Sequence, residues 1–309
     1  MKEPRYTGTN TDFYVASEQI AEIVNLAIDL HRPILVEGEP GSGKTKLADS
    51  IAAEKKLGKP IKIVVRSTSQ AKDLLYRVNS LRRFQEAQIP DNQDVKFIYP
   101  YLSLGPLGEV IHKKVRRVLL IDEIDKADID FPNDLLDVFD DFSFQIDDLP
   151  ENEEAECLKK NGFGRKIQSD EATKPIVIVT SNREKRLPEP FLRRCLYIHL
   201  RLPDDTAQLQ DIVRKNTGKE ISELNEEIVI AAISSFKQIR RDTAGAAERQ
   251  PSTSELIDWI KILHLKGKTI EEFNQNTELP PFWETLFKNI NDIESYQKTV
   301  EGRQNQESK

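Results

Sequence analysis

The feature that most constrains the fold of this chain is a glycine-rich turn between a short apolar run and a helical pattern. Residues 38–45 read Gly-Glu-Pro-Gly-Ser-Gly-Lys-Thr, which matches the spacing GxxxxGK[ST] without a departure. The apolar run at 33–36 predicts a buried strand, and the pattern over 44–53 predicts a helix. A strand, a tight turn and a helix in this order are typical of an α/β fold with a parallel sheet.

The same eight residues define a candidate phosphate-binding site. Glycines let the backbone curl so that successive N–H groups point at phosphate oxygens, and the following helix N-terminus adds its positive dipole end. The ammonium of Lys44 supplies charge to the β- and γ-phosphates, and the hydroxyl of Thr45 is a candidate Mg²⁺ ligand. The predicted contacts with Mg-ATP are Gly38, Glu39, Pro40, Gly41, Ser42, Gly43, Lys44 and Thr45.

Four further apolar runs indicate more strands of the same sheet. Each is rich in β-branched or aromatic residues and alternates with helical patterns, which favours a parallel sheet covered on both faces. These runs are 61–65, 118–121, 176–179 and 196–200, and a helix is predicted over 132–142. After residue 202 only helical periods are found. We therefore expect a nucleotide-binding domain over 1–202, a helical region over 203–301 and a disordered polar tail over 302–309.

The helical region carries its own start and stop signals. Asp204 or Asp205 can cap a first helix that Gly218 ends, and apolar positions predict further helices over 221–236 and 256–263. Thr269 and Glu272 form a capping-box pattern. A last helix is expected over 283–290, with its aromatic side chains in the core.

Two carboxylates, Asp122 and Glu123, directly follow the apolar run at 118–121. The carboxyl ends of parallel strands face the ligand crevice in open α/β sheets. Asp122 is a candidate Mg²⁺ ligand, mostly through water, and Glu123, which has no obvious charge partner, is placed to orient or deprotonate an attacking water. The alternative for this pair is a strand end with two exposed acids. Asp125 and Lys126 continue this motif, with an ordinary surface pair between the two neighbours as the alternative.

Composition disfavours several other classes of function. The net charge of −7 and pI of about 5.4 give no support to nucleic-acid binding, and the basic run at 112–117 is expected to be a solvated helix end. Two separated cysteines and four scattered histidines predict neither disulfides nor a zinc site and fit a reducing cytoplasm. No apolar window is long enough for a membrane span. The acidic segment 147–174 is expected to be a solvated loop or hairpin insertion, with a metal cluster as the alternative.

The order of these motifs resembles that of the AAA+ ATPases, and within them the MoxR-like branch. The fourth run continues into Thr-Ser-Asn at 180–182, which is similar to the sensor-1 position of the family and implies that Asn182 contacts the γ-phosphate or the attacking water. The segment 187–195, Leu-Pro-Glu-Pro-Phe-Leu-Arg-Arg-Cys, resembles the one that carries the arginine finger. Arg194 matches that position best and Arg193 is the alternative. The segment 69–83 also looks MoxR-like, and the resemblance covers roughly residues 10–265.

This resemblance implies a sheet with strand order 5-1-4-3-2, a helical lid domain and a hexameric ring. It places the adenine pocket near Tyr14 and Val15. Many relatives carry a sensor-2 arginine in the lid, but the matching position here holds Ser254 or Glu255, with Arg249 as the alternative cation. Proteins of the MoxR-like branch often act beside von Willebrand factor A-type partners, so a protein client of that kind is a further expectation.

Two function classes remain open at this stage. The first is a ring-forming ATPase that hydrolyses Mg-ATP to remodel or activate a protein partner, and Glu123 favours it. The second is an ATP-operated assembly switch or scaffold with little turnover. A small-molecule kinase is a third class, and a GTPase is disfavoured because no NKxD motif follows the carboxylate pair.

Overall fold

The computed structural model describes residues 4–9, 11, 13–89, 94–217, 226–245, 247–275 and 279–307. The strands are β1 (Ile34–Gly38), β2 (Ile61–Val64), β3 (Tyr76–Val78), β4 (Leu102–Leu104), β5 (Val118–Asp122), β6 (Ser143–Gln145), β7 (Lys166–Gln168), β8 (Ile176–Ser181) and β9 (Leu196–Leu200). The helices are α1 (Glu18–Asp29), α2 (Lys44–Glu54), α3 (Ala71–Leu75), α4 (Ser80–Glu86), α5 (Pro106–His112), α6 (Asp130–Asp134), α7 (Leu136–Asp141), α8 (Glu154–Asn161), α9 (Glu189–Arg194), α10 (Thr206–Thr217), α11 (Glu226–Asp242), α12 (Thr253–Leu265), α13 (Ile270–Gln275) and α14 (Ile290–Glu307).

A five-stranded parallel sheet is the centre of the fold, with strand order β2-β5-β8-β1-β9. Its strands are the five apolar runs predicted from the sequence. The predicted strand order, 5-1-4-3-2, is confirmed. Strands β5 and β8 are buried at every position. Edge strand β2 instead alternates between half-buried and exposed residues. This difference explains why the central strands have continuous apolar runs and β2 does not.

The chain divides into two compact units. The first comprises Met1–Gly8, Ser17–Glu37 and Leu47–His199, and the second comprises Thr9–Ala16, Gly38–Lys46 and Leu200–Lys309. The transition at Leu200 is close to the boundary predicted after residue 202. The phosphate loop, however, belongs to the same unit as the C-terminal helices. Within that unit, Thr253 Oγ1 donates a hydrogen bond of 2.6 Å to the carbonyl oxygen of Gly41.

The C-terminal helices of the second unit have a core of their own. Trp259 of α12 is fully buried, and its Nε1 donates to the carbonyl oxygen of Pro281 at 2.8 Å. Helix α10 begins one residue after Asp205, whose side chain accepts from the backbone N–H of Ala207, as an N-terminal cap should. The capping box of Thr269 and Glu272 is also confirmed, because each side chain accepts from the other residue's backbone N–H. Gly218 and the start of the pattern at 221 lie outside the described residues.

Three expected boundaries are wrong. The last helix begins at Ile290 and not near residue 283, since the rings of Trp283 and Phe287 pack against Tyr296 of α14 and hold the preceding segment in a 3₁₀ turn. Helix α14 then continues to Glu307, through most of the tail expected to be disordered. Residues 308–309 lie outside the described part. The predicted helix at 132–142 is divided into α6 and α7 at Leu135.

The acidic segment forms the hairpin insertion that we expected. Strands β6 and β7 pair antiparallel, and α8 lies between them in the chain. One of its acids is structural: Glu153 is buried, and its Oε2 accepts from the backbone N–H groups of Ile98 and Tyr99 at 2.6 and 3.2 Å. Among the described residues, no group of three or more His, Cys, Asp or Glu side chains is placed to bind a metal ion.

Candidate functional site

Two glycines of the phosphate loop, residues 38–45, have φ angles that other residues rarely adopt. Gly41 and Gly43 have φ angles of +80° and +91°, in the left-handed region that disfavours other residues. A Cβ atom on Gly41 would also lie 2.2 Å from the Oγ of Ser252. Both dihedral freedom and the lack of a side chain are therefore needed at this position.

Two side chains of the loop are prepared for an anionic ligand. Lys44, which is 8% exposed, donates from Nζ to the carbonyl oxygens of Gly38 and Glu39 at 2.8 and 3.0 Å. The Oγ atom of Ser42 is buried and has no hydrogen-bond partner in the described part of the chain. A phosphate oxygen could accept a hydrogen bond from the Ser42 hydroxyl and would be attracted by the nearby positive charge of Lys44. Thr45 follows in the first turn of α2, where the helix N-terminus also favours negative charge.

Side chains from α11 and α12 support the loop within the second unit. Arg240 Nη2 lies 3.2 Å from Glu39 Oε2, and this guanidinium also donates to the carbonyl oxygen of Pro251. Arg249, the alternative for the sensor-2 cation, instead pairs with Glu255 at 3.4 Å. Arg240 thus contacts the phosphate loop through Glu39, a contact that the sequence analysis did not identify. The sensor-2 assignment to the 249–255 stretch stays a prediction.

The segment predicted to form the adenine pocket also contacts the phosphate loop. A ring carbon of Tyr14 lies 3.5 Å from the point where a Cβ of Gly43 would stand. Lys215 of α10 donates to the carbonyl oxygens of Thr11 and Tyr14 at 2.7 and 3.2 Å, which fixes the backbone of this segment. Adenine binding near Tyr14 and Val15 stays a prediction.

Asp122 ends β5 and already has a partner at each carboxylate oxygen. Its Oδ1 accepts a hydrogen bond of 2.6 Å from Thr180 Oγ1, and its Oδ2 lies 2.7 Å from the Nζ of Lys62. Thr180 is fully buried in β8, and its hydroxyl oxygen also accepts from the backbone N–H of Glu123 at 2.9 Å. One hydroxyl thus fixes both members of the carboxylate pair.

Glu123 has a charge partner that the sequence analysis did not identify. Its Oε2 lies 2.6 Å from the Nζ of Lys126, and this hydrogen bond raises the pKa of the Lys126 ammonium above its usual value. On the other side, the Nδ2 of Asn182 is 3.4 Å from Glu123 Oε1. The backbone of Glu123 is left-handed, with φ of +62°, an uncommon conformation that is often found at functional sites.

Asp125 is not part of a surface pair. It is 1% exposed, and its Oδ2 accepts from the backbone N–H groups of Asn182 and Glu184 at 3.0 and 2.8 Å. Since these donors follow β8, Asp125 holds the turn that carries Asn182. The alternative of a surface pair between Asp125 and Lys126 is wrong, because Asp125 accepts from the backbone of a segment far away in sequence and Lys126 pairs with Glu123.

The two adjacent arginines at the end of α9 differ in their contacts. Arg194 makes a bidentate ion pair with Asp140, with Nε–Oδ1 and Nη2–Oδ2 distances of 2.8 and 2.9 Å, and its side chain is 33% exposed. The Arg193 side chain is exposed and forms no ion pair with the described residues. Of these two arginines, Arg194 is paired and Arg193 has no ion-pair partner among the described residues.

Comparison with known proteins agrees with these features. The family model described as AAA domain (Cdc48 subfamily) matches residues 31–229, which is more than half of the chain. The chain belongs to this AAA family. It is therefore an AAA+ ATPase in the general sense, with a nucleotide as its expected ligand, and the match includes the phosphate loop, the Asp122–Glu123 pair and Asn182. None of the curated proteins compared with the chain matches it.

In this AAA protein the motif residues can be identified from the sequence, but the residues that hold them in place cannot. The sequence does not show that Thr180 and Lys62 contact the Asp122 carboxylate, or that Asp125 accepts from the backbone of Asn182. A separate finding concerns membranes: no helix in the described part of this AAA protein is long and apolar enough to cross one.

We predict that Thr180→Val destabilises the first unit. The substitution keeps the shape of the side chain but leaves the buried Asp122 Oδ1 and the Glu123 N–H without a partner, which costs about 1–3 kcal/mol in the free energy of unfolding. Urea denaturation measures the change. Thr299→Val, at an exposed position of α14, is the control and should change stability by less than about 0.5 kcal/mol. Equal stability of the two variants would show that the Thr180 hydroxyl does not hold the carboxylate pair.

Proposed function

We propose that this AAA protein binds Mg-ATP at its phosphate loop and hydrolyses it within a ring, using the cycle to remodel or activate a protein partner. The MoxR-like branch is part of the proposal and is supported by the segment 69–83 and the order of the motifs. A hexamer and a von Willebrand factor A-type partner are the corresponding expectations for assembly and client.

The phosphate loop and the carboxylate pair supply complementary groups for this ligand. The backbone N–H groups of 41–45 and the Nζ of Lys44 would bind the β- and γ-phosphates. The Thr45 hydroxyl and, mostly through water, the Asp122 carboxylate are suitable oxygen ligands for Mg²⁺. When bound, Mg²⁺ neutralises charge on the phosphate oxygens.

The proposal of hydrolysis depends on one observation, the proximity of Glu123 and Asn182. A carboxylate and an amide whose nearest atoms are 3.4 Å apart can together orient one water molecule, and the carboxylate can accept its proton. Adjacent parallel strands β5 and β8 carry these two residues at their carboxyl ends. A protein that only binds nucleotide needs neither group in this arrangement.

A second observation favours the low-turnover alternative. Lys126 pairs with the very carboxylate that would accept the proton, and its Nζ, 2.6 Å from Glu123 Oε2, occupies that oxygen in place of a water molecule. An ATP-operated switch or scaffold would be compatible with this contact. Steady-state turnover at increasing protein concentration separates the two functions: a ring ATPase becomes more active per subunit as it assembles, and a switch stays slow.

We predict that Glu123→Gln retains Mg-ATP affinity and loses hydrolysis. The amide preserves side-chain size and removes the group that accepts the proton from water. Equilibrium binding and phosphate release are measured on the same preparation. Glu156→Gln, at an exposed position of α8, is the matched control and should behave as the wild type. Hydrolysis at the wild-type rate by Glu123→Gln would mean that another group activates water.

The ring part of the proposal concerns the arginine pair at the end of α9. An arginine from a neighbouring protomer can accelerate phosphoryl transfer by roughly 10³–10⁵. By position Arg194 is the proposed residue, and its ion pair with Asp140 joins two partly exposed side chains, where solvent screening keeps such a pair weak. Arg193 is the alternative because it has no ion-pair partner in the described part of the chain.

We predict that Arg194→Ala binds ATP normally, hydrolyses it poorly, and regains activity when mixed with the Lys44→Ala protein. In a mixed ring, the Lys44→Ala subunit lends its intact Arg194 to a neighbour that still holds ATP. Turnover is measured across the mixing ratio, with joint assembly confirmed by analytical ultracentrifugation.

Two control variants distinguish the possible roles of Arg194 in this experiment. Asp140→Ala removes the ion-pair partner alone and should leave turnover unchanged, whereas equal losses in Asp140→Ala and Arg194→Ala would assign Arg194 a structural role. Rescue of Arg193→Ala instead of Arg194→Ala would identify Arg193 as the residue given to the neighbour. If neither variant is rescued although both join the same oligomer as Lys44→Ala, arginine donation between protomers is excluded.

A further inference from the structure

Lys62 is a cation at the candidate magnesium ligand, and no motif assigns it a role. It lies on edge strand β2, which pairs in parallel with β5 so that Val64 is opposite Asp122. Lys62 is two residues before Val64, so its side chain is on the same face of the sheet and diagonal to Asp122. The register of the two strands therefore brings the ammonium to the carboxylate, with Nζ 2.7 Å from Oδ2.

The two partners of this ion pair differ in their freedom to move. The Asp122 side chain is 12% exposed and is fixed at Oδ1 by the buried hydroxyl of Thr180. The Lys62 side chain is 44% exposed and contacts no other charged group among the described residues. The carboxylate is thus fixed, whereas the ammonium, on its flexible four-carbon stem, can leave.

Mg²⁺ and the Lys62 ammonium both bind the carboxylate of Asp122. Mg²⁺ binds carboxylate oxygens directly or through its water molecules, and a positive charge at hydrogen-bonding distance from Oδ2 both occupies that oxygen and repels a second cation. Because Thr180 occupies Oδ1, the oxygen held by Lys62 is the one a hydrated cation would use.

We propose that Lys62 is a built-in competitor for Mg²⁺ at Asp122, which holds the carboxylate before the metal–nucleotide enters and must move away when it does. The inference rests on the proposed function, in which Asp122 serves Mg-ATP. Lys62 is therefore a positioning residue. It changes the magnesium concentration that nucleotide binding requires. A lysine that contacted the phosphates directly would have the opposite effect, since its removal would weaken binding with or without magnesium.

The test compares the magnesium dependence of nucleotide binding in the full chain. Binding of a fluorescent ATP analogue is measured with a chelator and then across a Mg²⁺ titration, for the wild type and for Lys62→Met, Lys62→Arg and Lys59→Met. Methionine keeps an unbranched side chain of similar length without charge. Arginine keeps the ion pair. Lys59 is an exposed lysine just before β2 and is the matched control.

Lys62→Met should reach half-saturation at about two- to fivefold less Mg²⁺ than the wild type, the range expected when a half-exposed ion pair is removed, and should bind no more tightly in chelator. Lys62→Arg and Lys59→Met should keep the wild-type dependence. If Lys62→Met does not fold, Lys62→Gln replaces it with the same expectation.

If Lys62→Met needs as much Mg²⁺ as the wild type, or more, this inference is wrong but the proposed function is not affected. If Lys62→Met also binds the nucleotide more weakly in chelator, Lys62 contacts the phosphates. Absence of nucleotide binding by the wild type at every magnesium concentration would overturn the proposed function, and the inference with it.

Discussion

Parallel pairing of β1 and β5 with β8 is the constraint on which the other features depend. It brings the carboxyl ends of three strands to one edge of the sheet, and each end leads into a candidate group: the phosphate loop after β1, the Asp122–Glu123 pair after β5 and Asn182 after β8. The three strands are short and almost fully buried, so their register is set by the core and not by the polar residues that follow. The sheet can therefore hold Glu123 and Asn182 close together, whereas free loops would let them separate.

Within this frame, the candidate residues are held by buried polar contacts. The Thr180 hydroxyl donates to one carboxylate and accepts from the backbone of the next residue, and Asp125 accepts from two N–H groups beyond β8. Such contacts are costly to leave unsatisfied away from water, which is why they can fix a turn as unusual as the left-handed Glu123. The lysines at Asp122 and Glu123 are different, because they are exposed and can leave. The buried polar contacts thus fix the site, whereas the charged, solvent-exposed lysines can move.

Most of the fold could be predicted from the sequence, because its signals are local. Five apolar runs predict five strands, and the phosphate loop is recognisable from eight consecutive residues. The rest depends on contacts between distant segments. The ion pair of Lys62 follows from the register of β2 on β5, and the burial of Asp125 follows from donors more than fifty residues away. Helix α14 begins at Ile290 because three aromatic rings pack together, which no local pattern indicates. Arg240 reaches the phosphate loop from the end of α11, where the sequence offers only an amphipathic helix.

The central claim is that the phosphate loop binds ATP through the charge of Lys44, and equilibrium binding tests it most directly. Titration of ATP in the presence of Mg²⁺ should give saturable binding for the wild type and for Lys59→Ala, and no measurable binding for Lys44→Ala, because an uncompensated phosphate charge remains in the loop. Circular dichroism should show the same helix content for all three proteins. ATP affinity of Lys44→Ala equal to that of the wild type, or no ATP binding by any of the three, would contradict the account.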